Sequence, residues 1–180
     1  MGIDPTIEQP ARKMLGHAIR HELDDLAAFV QAEGSEALIR SIPLCLFVSA
    51  YIAIDVSGRW PTEADLREIA KLAAQAVTRL DISEQEIYEY LSRVALGPEK
   101  LDDVFSDEGL ATVPLYATAN LLLSFCPRDK DWWEYLDQIW DAAETADRTS
   151  LTVLPALMLR ARKQPAQAPD LRIPSRGSGA

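Results

Sequence analysis

The sequence predicts an all-α protein, a single-domain helical bundle of about seven or eight helices with two proline-interrupted apolar helices at its centre. Three observations carry this. Apolar residues recur every three or four positions along nearly the whole chain, the period of a helix face. No alternating run bounded by turn residues and no Asn-Gly or Asp-Gly hairpin signal occurs. Two long uncharged runs, 41–54 and 109–127, are each followed by amphipathic sequence. A chain of 180 residues removes roughly 70% of its unfolded surface from water as one domain, so it needs neither disulfides nor a metal to fold. The helical domain is expected over 1–163, with a basic, disordered tail over 164–180 that holds prolines, glycines and little apolar content.

The first helix is expected from Pro10 to Glu33. Leu15, Ile19, Leu23, Leu26 and Val30 form its stripe, and Gly34 is its stop. Ser35 is expected to cap the second helix, which reaches about Val56 and is broken or kinked near Ser41 by Pro43. Ser57-Gly58 ends it. Thr62, with Asp65 three positions on, opens the third helix, whose buried face is Leu66, Ile69, Ala70, Ala73, Val77 and Leu80. Ser83 with Glu86 is a full capping box for a helix to about Leu96, with Ile87, Tyr90, Leu91 and Val94 inward. A short helix over 98–105 follows, then the second apolar helix over Leu110–Phe125, carrying Pro114. An amphipathic helix from Asp129 to Ala146 and a last one over 150–162 complete the bundle. Ser41-Ile42-Pro43-Leu44 echoes Thr112-Val113-Pro114-Leu115, so 41–79 and 112–146 read as a candidate internal repeat.

The charge excludes several functions. The net charge is −10, which argues against a general nucleic-acid binder, since phosphate affinity rests on Lys and Arg. The acid is concentrated over 81–147, net −12, while 160–180 is net +4. Cys45 and Cys126 stand far apart in apolar sequence, which reads as buried free thiols in a reducing cytoplasm. No secretory signal is expected at the N-terminus. The run 41–54 is too short to span a bilayer, and 109–127 is interrupted by Pro114 and Asn120, so no membrane span is expected. Arg outnumbers Lys 13 to 5, in keeping with a high-GC bacterial source.

Three constellations could carry function. His17 and His21, four apart with Asp24 and Asp25 beyond, have a spacing that lets imidazoles and a carboxylate share a metal ion. The helical wheel places both histidines on a solvated face, so no metal site is assigned. Trp132, Trp133, Tyr135 and Trp140 lie within nine residues. The wheel puts Trp132 with Leu136, Ile139 and Ala143 at the centre of the buried face. Trp133 and Trp140 stack on one edge and Tyr135 marks the other. These four are the candidate partner- or ligand-binding residues, because tryptophan is enriched at interfaces. The third and fourth helices, 62–96, resemble a helix-turn-helix pair, but Glu84, Gln85, Glu86 and Glu89 would face the phosphates.

No catalytic residues and no cofactor are expected. There is no glycine-rich phosphate loop, no G-x-S-x-G and no CxxC. The sequence favours a non-enzymatic interaction or regulatory protein of the bacterial cytoplasm. Its acidic, aromatic-anchored helical surface would dock a partner protein, steering a basic one, or a second copy as a homodimer. Two other readings are a transcription regulator contacting DNA through 62–96 and a small-molecule-binding bundle with a pocket near the tryptophans.

Overall fold

The structure, a computed structural model, describes residues 5–76, 80–96 and 112–147. These form seven helices and no strand: α1 Pro5–Arg20, α2 Leu23–Glu33, α3 Ser35–Ser57, α4 Glu63–Ala76, α5 Glu84–Leu96, α6 Thr112–Phe125 and α7 Trp132–Asp147. The helices expected over 98–105 and 150–162, and the tail over 164–180, lie outside the described residues.

The two apolar helices are central. α6 packs on α1, α3, α4, α5 and α7, and α3 also meets α1, α2 and α5. Helices that are apolar on every side belong in such a position, because no face can be turned to water without cost. Leu115, Leu121 and Leu122 on α6 and Val48 and Ile52 on α3 are fully enclosed. Each such side chain contributes about 1.5–3 kcal/mol relative to exposure. α4 and α5 close the far side with the predicted faces. Leu66, Ile69, Ala70 and Ala73 meet Ile87, Tyr90, Leu91 and Val94 in one core.

A polar chain runs through this core. The Tyr90 hydroxyl donates to Ser49 Oγ at 3.1 Å. Ser49 Oγ lies 2.9 Å from Thr118 Oγ1, and Thr118 Oγ1 donates to the Cys45 carbonyl at 3.2 Å. Ser49 and Thr118 can therefore each accept from behind and donate onward, linking α5, α3 and α6. Burial without such partners would cost each group about 1–3 kcal/mol.

Both expected capping boxes form. The Asp65 N–H donates to Thr62 Oγ1 at 3.3 Å, and the Thr62 N–H donates to Asp65 Oδ2 at 2.7 Å. The Glu86 N–H donates to Ser83 Oγ at 3.2 Å, and the Ser83 N–H returns to Glu86 Oε2 at 2.8 Å. Gly34 and Gly58 end α2 and α3 with φ of +84° and +64°.

Four expectations are corrected. The first helix starts at Pro5, not Pro10, and breaks into α1 and α2 at His21. His21 takes φ +59°. Its N–H donates to the Ala18 carbonyl at 3.1 Å, and the Glu22 N–H donates to the His17 carbonyl at 2.9 Å. This is a Schellman closure with histidine in the left-handed position that glycine or asparagine usually holds. Secondly, Gly34 rather than Ser35 precedes α3.

Thirdly, no fresh helix starts near Ser41: α3 continues through Pro43. Proline removes the bond to the carbonyl of residue 39, and both Ile39 and Pro43 are exposed. Water can therefore take that carbonyl, and the break is not forced. Finally, α7 starts at Trp132 rather than Asp129, and the N–H of Asp131, the residue before it, donates to Glu134 Oε2 at 2.9 Å. The two prolines behind the candidate repeat are not equivalent: Pro43 lies exposed in mid-helix, whereas Pro114 is buried in the first turn of α6. Among the described helices, α3 alone is long and apolar enough to cross a membrane, over Glu36–Ser57, with 61% of its most apolar window buried in the bundle.

Candidate functional site

The four aromatic candidates all lie on α7, and the fold separates them. Tyr135 and Trp140 are core residues, 1% and 5% exposed, whereas Trp133 is 45% exposed. Trp132 is half-buried. This reorders the expected face. Trp132 points where the buried face should be, but it occupies the first helical position, and side chains tilt toward the helix N-terminus. It therefore projects beyond the surface that would cover it. Trp140 sits at nearly the same angle as Trp133 but is roofed by the Arg12 guanidinium, 4.6 Å from its ring centroid. The Tyr135 hydroxyl donates to Asp55 Oδ2 at 3.2 Å, tying α7 to the end of α3. Burial first, and Asp55 second, push the Tyr135 phenol above its ordinary range.

The accessible pair packs edge to face, with ring centroids of Trp132 and Trp133 5.9 Å apart. Between them and α1 lies an open groove of about 400 Å³. The α1 wall is Arg12, Lys13, Gly16, His17 and Arg20, one continuous face at helical spacing. Gly16 is the floor. A Cβ there would stand 3.3 Å from Arg20 Nη1 and 3.5 Å from Trp132 Cη2. The missing side chain is therefore what brings Arg20 and Trp132 together over the α1 backbone.

The wall is ordered by carboxylates from outside the groove. Glu22 Oε1 accepts from Arg20 Nε at 2.9 Å, and Glu22 Oε2 lies 2.9 Å from His17 Nδ1. Arg20 first and His17 second hold the Glu22 carboxyl below its ordinary range. Arg12 Nη2 donates to Glu8 Oε1 at 3.1 Å and also bonds Asp137 on α7. Lys13 makes no ion pair among the described residues; its Nζ lies 5.6 Å over the Phe29 ring.

The histidines do not simply face solvent. His17 is half-buried against Phe29, ring centroids 6.3 Å apart, because the break at His21 folds α2 back beside α1. Donor atoms of His17, Glu22 and Asp25 lie within 4.8 Å of one another. Both Glu22 oxygens are already engaged by Arg20 and His17, so the cluster is organised as an ion-pair network. Asp24 is exposed on α2.

Across the molecule, Glu84, Gln85, Glu86 and Glu89 are exposed on α5, presenting carboxylates where a DNA-reading helix needs donors. Cys45 is buried, its thiol pushed up to about 12 by burial, while Cys126 is only partly covered. Comparison with family models, with curated proteins and with solved structures finds no match.

The cationic wall of the groove was missing from the sequence-derived site. Its signal exists in positions 12, 13, 17 and 20, but the whole-chain charge of −10 masks a local run of the opposite sign.

Proposed function

We propose that the chain is a non-enzymatic interaction or regulatory protein that docks a partner protein where α7 meets α1, with Trp133 as anchor and Trp132 as its backing. One observation carries this: Trp133 is 45% exposed at the mouth of a groove, on a helix whose Tyr135, Leu136, Ile139 and Trp140 are all buried. An exposed indole on a rigid, well-packed helix forfeits burial in the free protein and gains it on association, which is how interface hot spots work. The outward face of α7 supports the acidic character of the surface, since Glu134, Asp137 and Asp141 are all exposed. Such charges steer encounter more than they strengthen the complex. Small-molecule binding is the second reading, favoured by a volume of about 400 Å³, which lies within the usual ligand-pocket range.

The test is capture from the source cell with the tagged full chain, followed by a binding isotherm with the captured protein. Trp133→Ala is expected to weaken that binding at least tenfold, about 1.4 kcal/mol, with an unchanged melting temperature. Retention of affinity within twofold by the Trp132→Ala/Trp133→Ala double variant would defeat the reading.

A further inference from the structure

The α1 wall of the groove is lined by basic side chains where the surface around it is acidic, and that difference points to what enters it. The chain is strongly acidic, and so is the exposed face of α7. Yet the α1 wall presents Arg12, Lys13, His17 and Arg20 toward the tryptophan pair. We infer that the groove receives an acidic peptide segment of the partner protein, with a carboxylate on the Arg20–Lys13 edge and an apolar side chain against Trp132 and Trp133. This rests on the docking reading above and specifies its occupant.

The geometry gives the reason. Arg20 uses only Nε on Glu22. Nη1 and Nη2 make no hydrogen bond among the described residues and overhang Gly16, 3.3 Å and 3.5 Å from the place a Cβ would take. A guanidinium whose back edge is held by one carboxylate offers its front edge to a second in a fixed orientation, and bidentate pairing is the strong mode for arginine. Lys13, two turns before it on the same wall and without an ion pair among the described residues, adds a second positive charge. Glu22 is thus a positioning residue. It stands where it does because the helix breaks at His21 and the Glu22 N–H closes onto the His17 carbonyl. The tryptophans supply the apolar half of the site, since Trp132 reaches the Gly16 floor and Trp133 forms the open rim. A basic segment would set its charges against this wall and leave the Arg20 edge unpaired.

The experiment uses the ¹⁵N-labelled full chain and two blocked octapeptides, one alternating leucine with glutamate and one alternating leucine with lysine. The indole N–H signals of Trp60, Trp132, Trp133 and Trp140 are followed during titration. The glutamate peptide is expected to move the Trp132 and Trp133 signals saturably, leaving Trp60 in place, with weaker binding as salt rises. Arg20→Gln and Lys13→Gln should each weaken it about two- to fivefold, the range of a partly exposed ion pair. Gly16→Ala should weaken it as well by displacing Arg20 and Trp132, without lowering the melting temperature, because alanine is the better helix former. Equal or stronger movement of the same indoles by the lysine peptide would overturn the acidic occupant while leaving the docking surface standing. If neither peptide moves Trp132 or Trp133, the inferred occupant is wrong, and the docking surface itself is judged by the capture experiment.

Discussion

The seam between α3 and α6 and the seam between α1 and α7 handle polar groups in opposite ways. In the first, Tyr90, Ser49 and Thr118 are enclosed and pass hydrogen bonds from one to the next until the Cys45 carbonyl ends the chain. Leucines fill the remaining space. In the second, side chains meet around a glycine, and the polar groups there, Arg12, Arg20 and His17, are held from behind by Glu8, Asp137 and Glu22. Their other edges face an opening. In the inner seam the three hydroxyls spend their donors on one another and on the Cys45 carbonyl. The outer seam keeps oriented donors beside an exposed indole, the arrangement on which the proposed docking rests. Substitutions should separate accordingly, the inner ones read in unfolding and the outer ones in binding.

The sharpest way to break that contrast is Leu121→Ala. Leu121 is fully enclosed in α6, and truncation there should cost about 3 kcal/mol. Leu123→Ala on the same helix, where the side chain is 36% exposed, should cost well under about 1 kcal/mol. Urea unfolding midpoints measure both, and equal costs would erase the distinction between faces.

A smaller effect of opposite sign is expected two residues from Thr118. Asn120 is fully buried, and neither end of its amide has a hydrogen-bond partner among the described residues. Asn120→Leu, which keeps the branched skeleton, should raise stability by about 1 kcal/mol, because a desolvated amide without a partner among the described residues is replaced by an apolar group. A loss on that substitution would show that the amide is paired in solution, and that the inner seam is more polar than described.

The smallest effect is set by acid at the rim. In Glu86, the Ser83 hydroxyl first and the Ser83 N–H second hold the carboxyl below its ordinary range. In Asp65, burial pushes upward but is outweighed by the Thr62 hydroxyl and N–H and by Arg59. Carboxyls depressed in the folded state stabilise it at neutral pH, and that contribution is lost as pH falls through the folded value, which lies below the group's ordinary one. Asp65→Asn and Glu86→Gln should each cost less than about 1 kcal/mol at pH 7, since both caps are solvent-accessible. Both should also make the acid limb of the stability curve shallower. An unchanged acid limb would assign that pH dependence to other carboxyls.

What was legible in the sequence was what local chemistry writes. Thr62–Asp65 and Ser83–Glu86 announce helix starts because each donor and acceptor lies within three residues of its partner. Leu66 and Ile87 fall on the buried faces by periodicity alone. The break at His21 was hidden, since no glycine marks the left-handed position and the apolar stripe runs on through Leu23, which proves 40% exposed. The ranking of the tryptophans was hidden for a different reason. A wheel knows angle but not height, so it cannot see that Trp132 stands past the end of its cover, nor that Arg12, from another helix, roofs Trp140.

Because its indoles sit at graded depths, from Trp133 in water through Trp60 and Trp132 to Trp140 beneath a guanidinium, the molecule carries its own optical gauge. The red edge of its fluorescence is expected to belong to Trp133, the indole a dissolved quencher should reach first. Occupation of the rim would shield that emission and shift it to the blue, while light from Trp140 would dim or change colour only when the bundle itself comes apart.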